Sequence, residues 1–150
     1  MYEILLNAHS IVRFAVLIFV VLAILLSFAG WFGNKDFTKG NKMTNLFALI
    51  STHLQAVLGL ILYFVSPWVR LDDMGGAMKD STARYWTVEH ILIMLIAVVL
   101  ITIGYSKSKR ALTDLAKHRT VAIYFTIGAI LVIVGILMSD RALLGMGTKA

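Results

Sequence analysis

Four histidines carry most of the chemistry open to this chain: His9, His53, His90 and His118. Each falls on or beside a different long apolar run. Imidazole is a ligand for iron, zinc and copper. Two imidazoles facing each other from different helices suit the axial positions of a planar iron macrocycle. Charged companions stand close by. Arg13 is one helical turn from His9, Glu89 adjoins His90, and Arg84 precedes His90 by six residues. Thr52 and Gln55 are milder polar neighbours of His53. Ionisable residues within apolar spans are costly and mark functional sites by default.

Each of these residues also has a plainer reading. Arg13 and Glu89 can form a structural ion pair. His9 can hydrogen-bond Glu89 at the membrane surface, and His53 a backbone carbonyl in the core. His118 stands in the basic run Lys117-His118-Arg119 and reads as a solvated face residue. His90 is hardest to dismiss, being inside its run and beside a carboxylate. One histidine associated with every run, in a chain with four in all, argues for ligation. The chain has no cysteine. Disulfides, thiolate metal sites, iron–sulfur clusters and covalent haem attachment are therefore excluded. There is no Gly-rich phosphate loop, no nucleophile–base set and no His-Glu-x-x-His. Zinc or copper would accept imidazole, but His9 and His90 supply only two level nitrogens.

The elements that must position these residues are membrane spans. Of the 150 residues 59% are hydrophobic and 15% charged, against roughly 25% charged in a soluble domain. Apolar runs cover residues 11–32, 46–65, 86–105 and 121–138. Each has about the 20 residues needed to cross ~30 Å of hydrocarbon as a helix. An earlier start for the first, at Ile4-Leu5-Leu6, is open. It reads as a span and not as a cleavable leader, since no basic stretch precedes it and no small-residue cleavage site follows. The runs lack the alternation of barrel strands. The expected fold is all-α: an integral membrane up-down four-helix bundle, one domain over residues 1–150.

Three loops follow, at residues 33–45, 66–85 and 106–120. The first and third hold eight basic and two acidic residues, net +6, and the remaining charges sum to zero. By the positive-inside rule both loops face the cytoplasm, and both termini and the second loop face outward. That is the expected topology of a bacterial inner-membrane protein. Trp31 then lies at the inner boundary, Trp68 and Trp86 at the outer one. The basic loops read as topology signals and anionic-lipid contacts, not nucleic-acid sites. Gly75-Gly76 marks a flexible outer loop, and Asp72-Asp73 a solvated one.

Depth and face then decide which histidines can meet. His9 and His90 both lie near the outer ends of helices that run inward, so they are level. In an up-down square their helices are diagonal. His53 lies near the middle of the second helix and His118 near the inner end of the fourth. Small residues share the faces of His9 (Ala23, Ser27, Gly30) and His90 (Ala97, Gly104). They make room for a bulky group or serve close packing, and the sequence leaves both open. The fourth helix's stripe, Gly128, Gly135 and Ser139 in line with Tyr124, reads as packing.

At these residues the chain resembles a family of small bacterial four-helix membrane proteins labelled cytochrome b-like. The segments are Ala8-His9-Ser10 with Arg13, Thr52-His53-Leu54-Gln55 before Leu58-Gly59-Leu60, Val88-Glu89-His90 with Met94, and Ala116-Lys117-His118. The chain is more distantly similar to one half of haem A synthase, from which it departs in the spacing of acid and histidine. The resemblance implies b-type haem held by two histidines from different helices. The leading expectation is a haem b electron-transfer subunit, non-catalytic itself, within an oxidoreductase complex. His9 and His90 would be axial ligands, and Arg13, Arg84 or Arg70 would face the propionates. His53, with or without His118, would serve a second haem or a quinone pocket. Two rivals stand beside it. One is a haem-free accessory subunit of a larger respiratory or transport complex, and the other an enzyme acting on haem or quinone.

Overall fold

The computed structural model describes residues 1–139. Asp140, Arg141, Lys149 and the outward placement of the C-terminus lie outside them. Four helices are long and apolar enough to span a bilayer: Tyr2–Phe32, Lys39–Val65, Ser81–Arg110 and Asp114–Leu137. We label Tyr2–Phe32 α1 and Lys39–Val65 α2. Met74–Lys79 is a short helix, α3. The third spanning helix comprises α4 (Ser81–Arg84), a π-helical turn (Tyr85–Glu89) and α5 (His90–Arg110). Asp114–Leu137 is α6. No strand occurs among the described residues. The all-α four-helix bundle expected from the apolar runs is what the chain forms.

The helices outrun the apolar segments at every start, and the third does so at its end as well. With 31 residues, α1 is about 46 Å long at 1.5 Å per residue. Its ends therefore pass beyond ~30 Å of hydrocarbon. The first loop shrinks to residues 33–38 and the third to 111–113. Local capping sets these limits. Lys35 N–H donates to the Gly30 carbonyl at 2.9 Å across Asn34, whose φ is 47°. This is the Schellman closure of α1, with asparagine in the left-handed conformation. Thr38 opens α2 with a capping box, its backbone N–H donating to Asn41 Oδ1 at 2.9 Å. Thr113 caps α6 by accepting Ala116 N–H at 3.1 Å. The glycines of the second loop are helical too: α3 carries Gly75-Gly76, and Asp73 caps it by accepting Gly76 N–H at 2.9 Å. A capped helical turn stands where the glycines suggested a flexible loop.

Around the bundle α1 packs on α2 and α6, and α5 on α6 and α2. The first and third spanning helices are thus diagonal. The bundle is apolar outward as well as inward. Ile18 and Leu25 are each 62% exposed and Phe64 74%, whereas Val121, Ala122 and Phe125 are fully buried. A soluble domain does not expose such a belt of large apolar side chains.

The close-packed core sits toward one end. Val16, Val20 and Ala23 of α1 meet Ala48 of α2, Ile101 of α5, and Val121 and Phe125 of α6. Glycines admit neighbouring side chains there. A Cβ on Gly128 would lie 2.9 Å from Ile101 Cγ1, and one on Gly104 would run into Tyr124. The α6 stripe is packing, as expected, and Gly104 joins it.

Candidate functional site

Toward the other end the bundle is hollow. A cavity of about 160 Å³ lies among α1, α2 and the third spanning helix, with α6 closing one side. By the same measure a single water needs only about 10–15 Å³. Its walls are mostly apolar. His9, Arg13, Thr52, Gln55, Tyr85 and His90 are the polar residues that matter. His9 and His90, expected to be level on diagonal helices, line this one space.

The π turn prepares His90. Its backbone N–H donates to the Tyr85 carbonyl, five residues back. In an α-helix, residues five apart point about 140° from each other. The wider turn brings them onto one face. Two side-chain pairs use that spacing. Arg84 Nε donates to Glu89 Oε1 at 2.8 Å. Tyr85 Oη lies 3.1 Å from His90 Nδ1.

The tyrosine hydroxyl also donates to the Gly135 carbonyl in the last turn of α6. Its single proton is committed there, so its oxygen accepts from His90 Nδ1–H. His90 is thereby held as the Nδ1–H tautomer, and its lone pair lies on Nε2. Histidines that ligate metals commonly donate from their other nitrogen to a fixed acceptor in this way. The Trp86 ring, 5.1 Å from the His90 ring, backs it from the side. Trp86 thus lines the cavity in addition to marking a membrane boundary.

His9 faces the cavity from α1. Its Nε2 lies 3.3 Å from Gln55 Nε2, an NH₂ group that can only donate, so His9 Nε2 accepts. Gly59 lies one turn beyond Gln55 on α2, where a Cβ would come within 3.1 Å of His9 Cε1. Gln55 Oε1 and Thr52 Oγ1 are buried without a hydrogen-bond partner, and Thr52 is only 4% exposed. Buried polar groups are nearly always satisfied, so this wall is chemically incomplete.

The arginines separate. Arg13 lines the cavity, its guanidinium 5.4 Å from the centre of the Phe14 ring. The ion pair of Glu89 is with Arg84, not with Arg13 as the sequence suggested. The cause is the π turn, which places Arg84 and Glu89 side by side. Arg84 is absent from the cavity lining, and Arg70 pairs with Asp80 at 3.3 Å.

His53 and His118 do not join this site or each other. His53 is exposed on the outside of α2, its Nε2 2.9 Å from Thr102 Oγ1 on α5. Thr102 already donates to the Val98 carbonyl at 2.7 Å, so His53 Nε2–H is the donor. His118 overturns the expectation of a solvated residue, for it is 1% exposed. Its Nε2 lies 3.2 Å from the carbonyl oxygens of both Lys35 and Asp36. The ring sits against Gly30 and 5.2 Å from the Phe37 ring. The Schellman turn sends the chain back over α6, and the imidazole satisfies the carbonyls this brings in.

The sequence reading missed Tyr85, Gly135, Tyr63 and Gly59. Tyr63 Oη donates to the Thr87 carbonyl at 2.7 Å, tying α2 to the π turn. An aromatic hydroxyl five residues before a histidine was the one available signal for Tyr85.

Among the described residues, no three of His, Cys, Asp or Glu come close enough together to hold a metal ion unaided. No known family model matches the chain, and no curated protein or solved structure does.

Proposed function

We propose that this chain is a membrane electron-transfer subunit that holds b-type haem between His9 and His90. One observation carries the proposal: two imidazoles on diagonal helices line the same cavity. The residues fit the group in three respects. His90 is fixed by Tyr85 in the tautomer that presents Nε2. Gly59 gives the His9 ring room that a Cβ on α2 would take. Thr52 Oγ1 and Gln55 Oε1 are buried polar atoms that lack protein partners.

Bound haem would supply reversible one-electron transfer. The rest follows from the chain's own residues. Tyr85 holds the His90 ring and takes its Nδ1 proton in a hydrogen bond. Gln55 donates to the His9 nitrogen that ligation requires, so it must turn away for His9 to bind iron. Arg13 lines the cavity and so faces a propionate better than Arg84 or Arg70, which do not line it. The apolar walls exclude water. His53 and His118 have other partners, so a single haem is the reading favoured here. A quinone is a candidate electron partner, and a larger respiratory membrane complex is the setting.

By the positive-inside rule, the end carrying residues 33–38 and 111–113 would face the cytoplasm of a bacterial inner membrane. The cavity would then lie toward the outer face.

The test is a reduced-minus-oxidised optical spectrum of protein purified with haem supplied. Low-spin six-coordinate b-type bands are expected, and both His9→Ala and His90→Ala should lose them or become high-spin. His118→Ala should keep the bands. A colourless wild-type protein would sink the proposal in favour of the haem-free accessory subunit. A full low-spin spectrum in both alanine variants would disprove the ligand assignment.

A further inference from the structure

A second cavity, of about 240 Å³, lies at the basic end of the bundle, among the start of α2, the end of α5 and the start of α6. Lys42, Lys109 and Lys117 reach it from three different helices. No carboxylate lines it. Asn45, which is 3% exposed, and Ser108 add polar groups, while Phe37 and Tyr105 form aromatic walls.

One of the three ammonium groups is held in place. Lys117 Nζ donates to the Ser108 and Lys109 carbonyls at 3.1 Å each, using two of its three protons. It also lies 5.8 Å from the centre of the Phe37 ring. The nearest carboxylate of this connection, Asp114, accepts Phe37 N–H at 3.0 Å and contributes nothing to the cavity lining. Three cations around one concavity repel each other unless an anion lies between them.

We propose that this cavity binds one phosphate group, supplied by the headgroup of an anionic phospholipid in the adjoining leaflet. The site lies where the apolar belt ends. Met43 and Phe47, 36% and 44% exposed, follow Lys42 along α2. A headgroup seated on the lysines would leave its acyl chains against that surface. Basic pockets between helices at a membrane surface bind such headgroups. The inference is independent of the haem reading, because none of its residues borders the histidine cavity.

The experiment titrates delipidated protein in detergent with phosphatidylglycerol, phosphatidylcholine or inorganic phosphate and counts bound ligands by native mass spectrometry. One phosphatidylglycerol per chain is expected in preference to phosphatidylcholine. Lys42→Gln with Lys109→Gln should weaken that binding about thirty-fold, from the surface worth of two lysines. Both side chains are exposed, so the fold tolerates the change. Lys79→Gln, on the opposite end, should bind as wild type does. Displacement of the lipid by inorganic phosphate at equal concentration would uphold the phosphate site and make its source soluble. Equal binding of phosphatidylcholine, or unchanged binding in the double variant, would overturn the proposal.

Discussion

Tyr85→Phe tests the arrangement around His90 most sharply, because it removes one oxygen and keeps the ring. Tyr85 is 5% exposed, and its hydroxyl joins three elements. It accepts from His90 Nδ1 at 3.1 Å and donates to the Gly135 carbonyl. The Gly135 carbonyl lies in the last turn of α6, where helix carbonyls run out of donors. Ser139 N–H, four residues on, goes to Ile136 instead, at 3.0 Å. The variant therefore strips the partner from one buried donor and one buried acceptor. Leaving a buried group unpaired costs about 1–3 kcal/mol in soluble proteins. Interhelical hydrogen bonds in membranes average nearer 0.6 kcal/mol. Two lost bonds then bracket the loss between about 1 and 6 kcal/mol. At roughly 2–4 °C per kcal/mol for a chain of this size, the melting temperature in detergent should fall by at least about 2 °C. A double-mutant cycle with His90→Ala isolates the shared bond. The two effects should fall short of additivity by more than about 0.5 kcal/mol. Additive losses, or an unchanged melting temperature in Tyr85→Phe, would refute the relay.

Three further outcomes follow from the geometry. Gly30→Ala should destabilise by about 1–3 kcal/mol, since its Cβ would meet the buried His118 ring; thermal unfolding in detergent reads this, and added His118→Ala should recover part of the loss. Arg84→Gln and Glu89→Gln should each cost less than about 1 kcal/mol, because the pair is 40% and 30% exposed, and a larger loss on either side would mean a role beyond the pair. Single cysteines at Leu112, 99% exposed, and Met78, 48% exposed, should label from opposite sides of the membrane in this cysteine-free chain; labelling of Leu112→Cys from outside would reverse the proposed orientation.

The spans and their square arrangement were legible because they rest on bulk hydropathy and short connections, which the sequence carries directly. The level placement of His9 and His90 followed from direction and spacing alone. The π turn did not, because its causes are tertiary. Tyr63 from α2 and Gly135 from α6 hold the stretch from outside, and no proline or glycine within Tyr85–Glu89 announces it. Missing the turn led to the wrong partner for Glu89. An α-helical wheel separates Arg84 from Glu89, so Arg13 was paired with Glu89 and Arg84 was left to face a propionate. Helix ends were missed for a different reason. Polar stretches such as residues 106–110 continue helices beyond the bilayer, and hydropathy ends where lipid does.

The glycines show why a histidine's meaning could not be read from its neighbours in sequence. Gly30 and Gly59 each adjoin an imidazole, and each leaves space that a Cβ would fill. At Gly30 the space belongs to the His118 ring, whose Nε2 reaches two backbone carbonyls, so the glycine completes a packed joint. At Gly59 the neighbour is His9, whose Nε2 lies 3.3 Å from the Gln55 side-chain amide beside a cavity. A backbone carbonyl cannot move without moving the chain, whereas a glutamine side chain can rotate aside. Freeing His118 Nε2 from its carbonyls therefore requires the first loop to open, whereas the contact between His9 and Gln55 yields to a change of rotamer. The same small-residue pattern stands beside a backbone joint at one histidine and beside a side-chain contact at the other. This difference in what must move is why we propose the end of the bundle that holds His9, and not its basic end, for ligand chemistry at histidine.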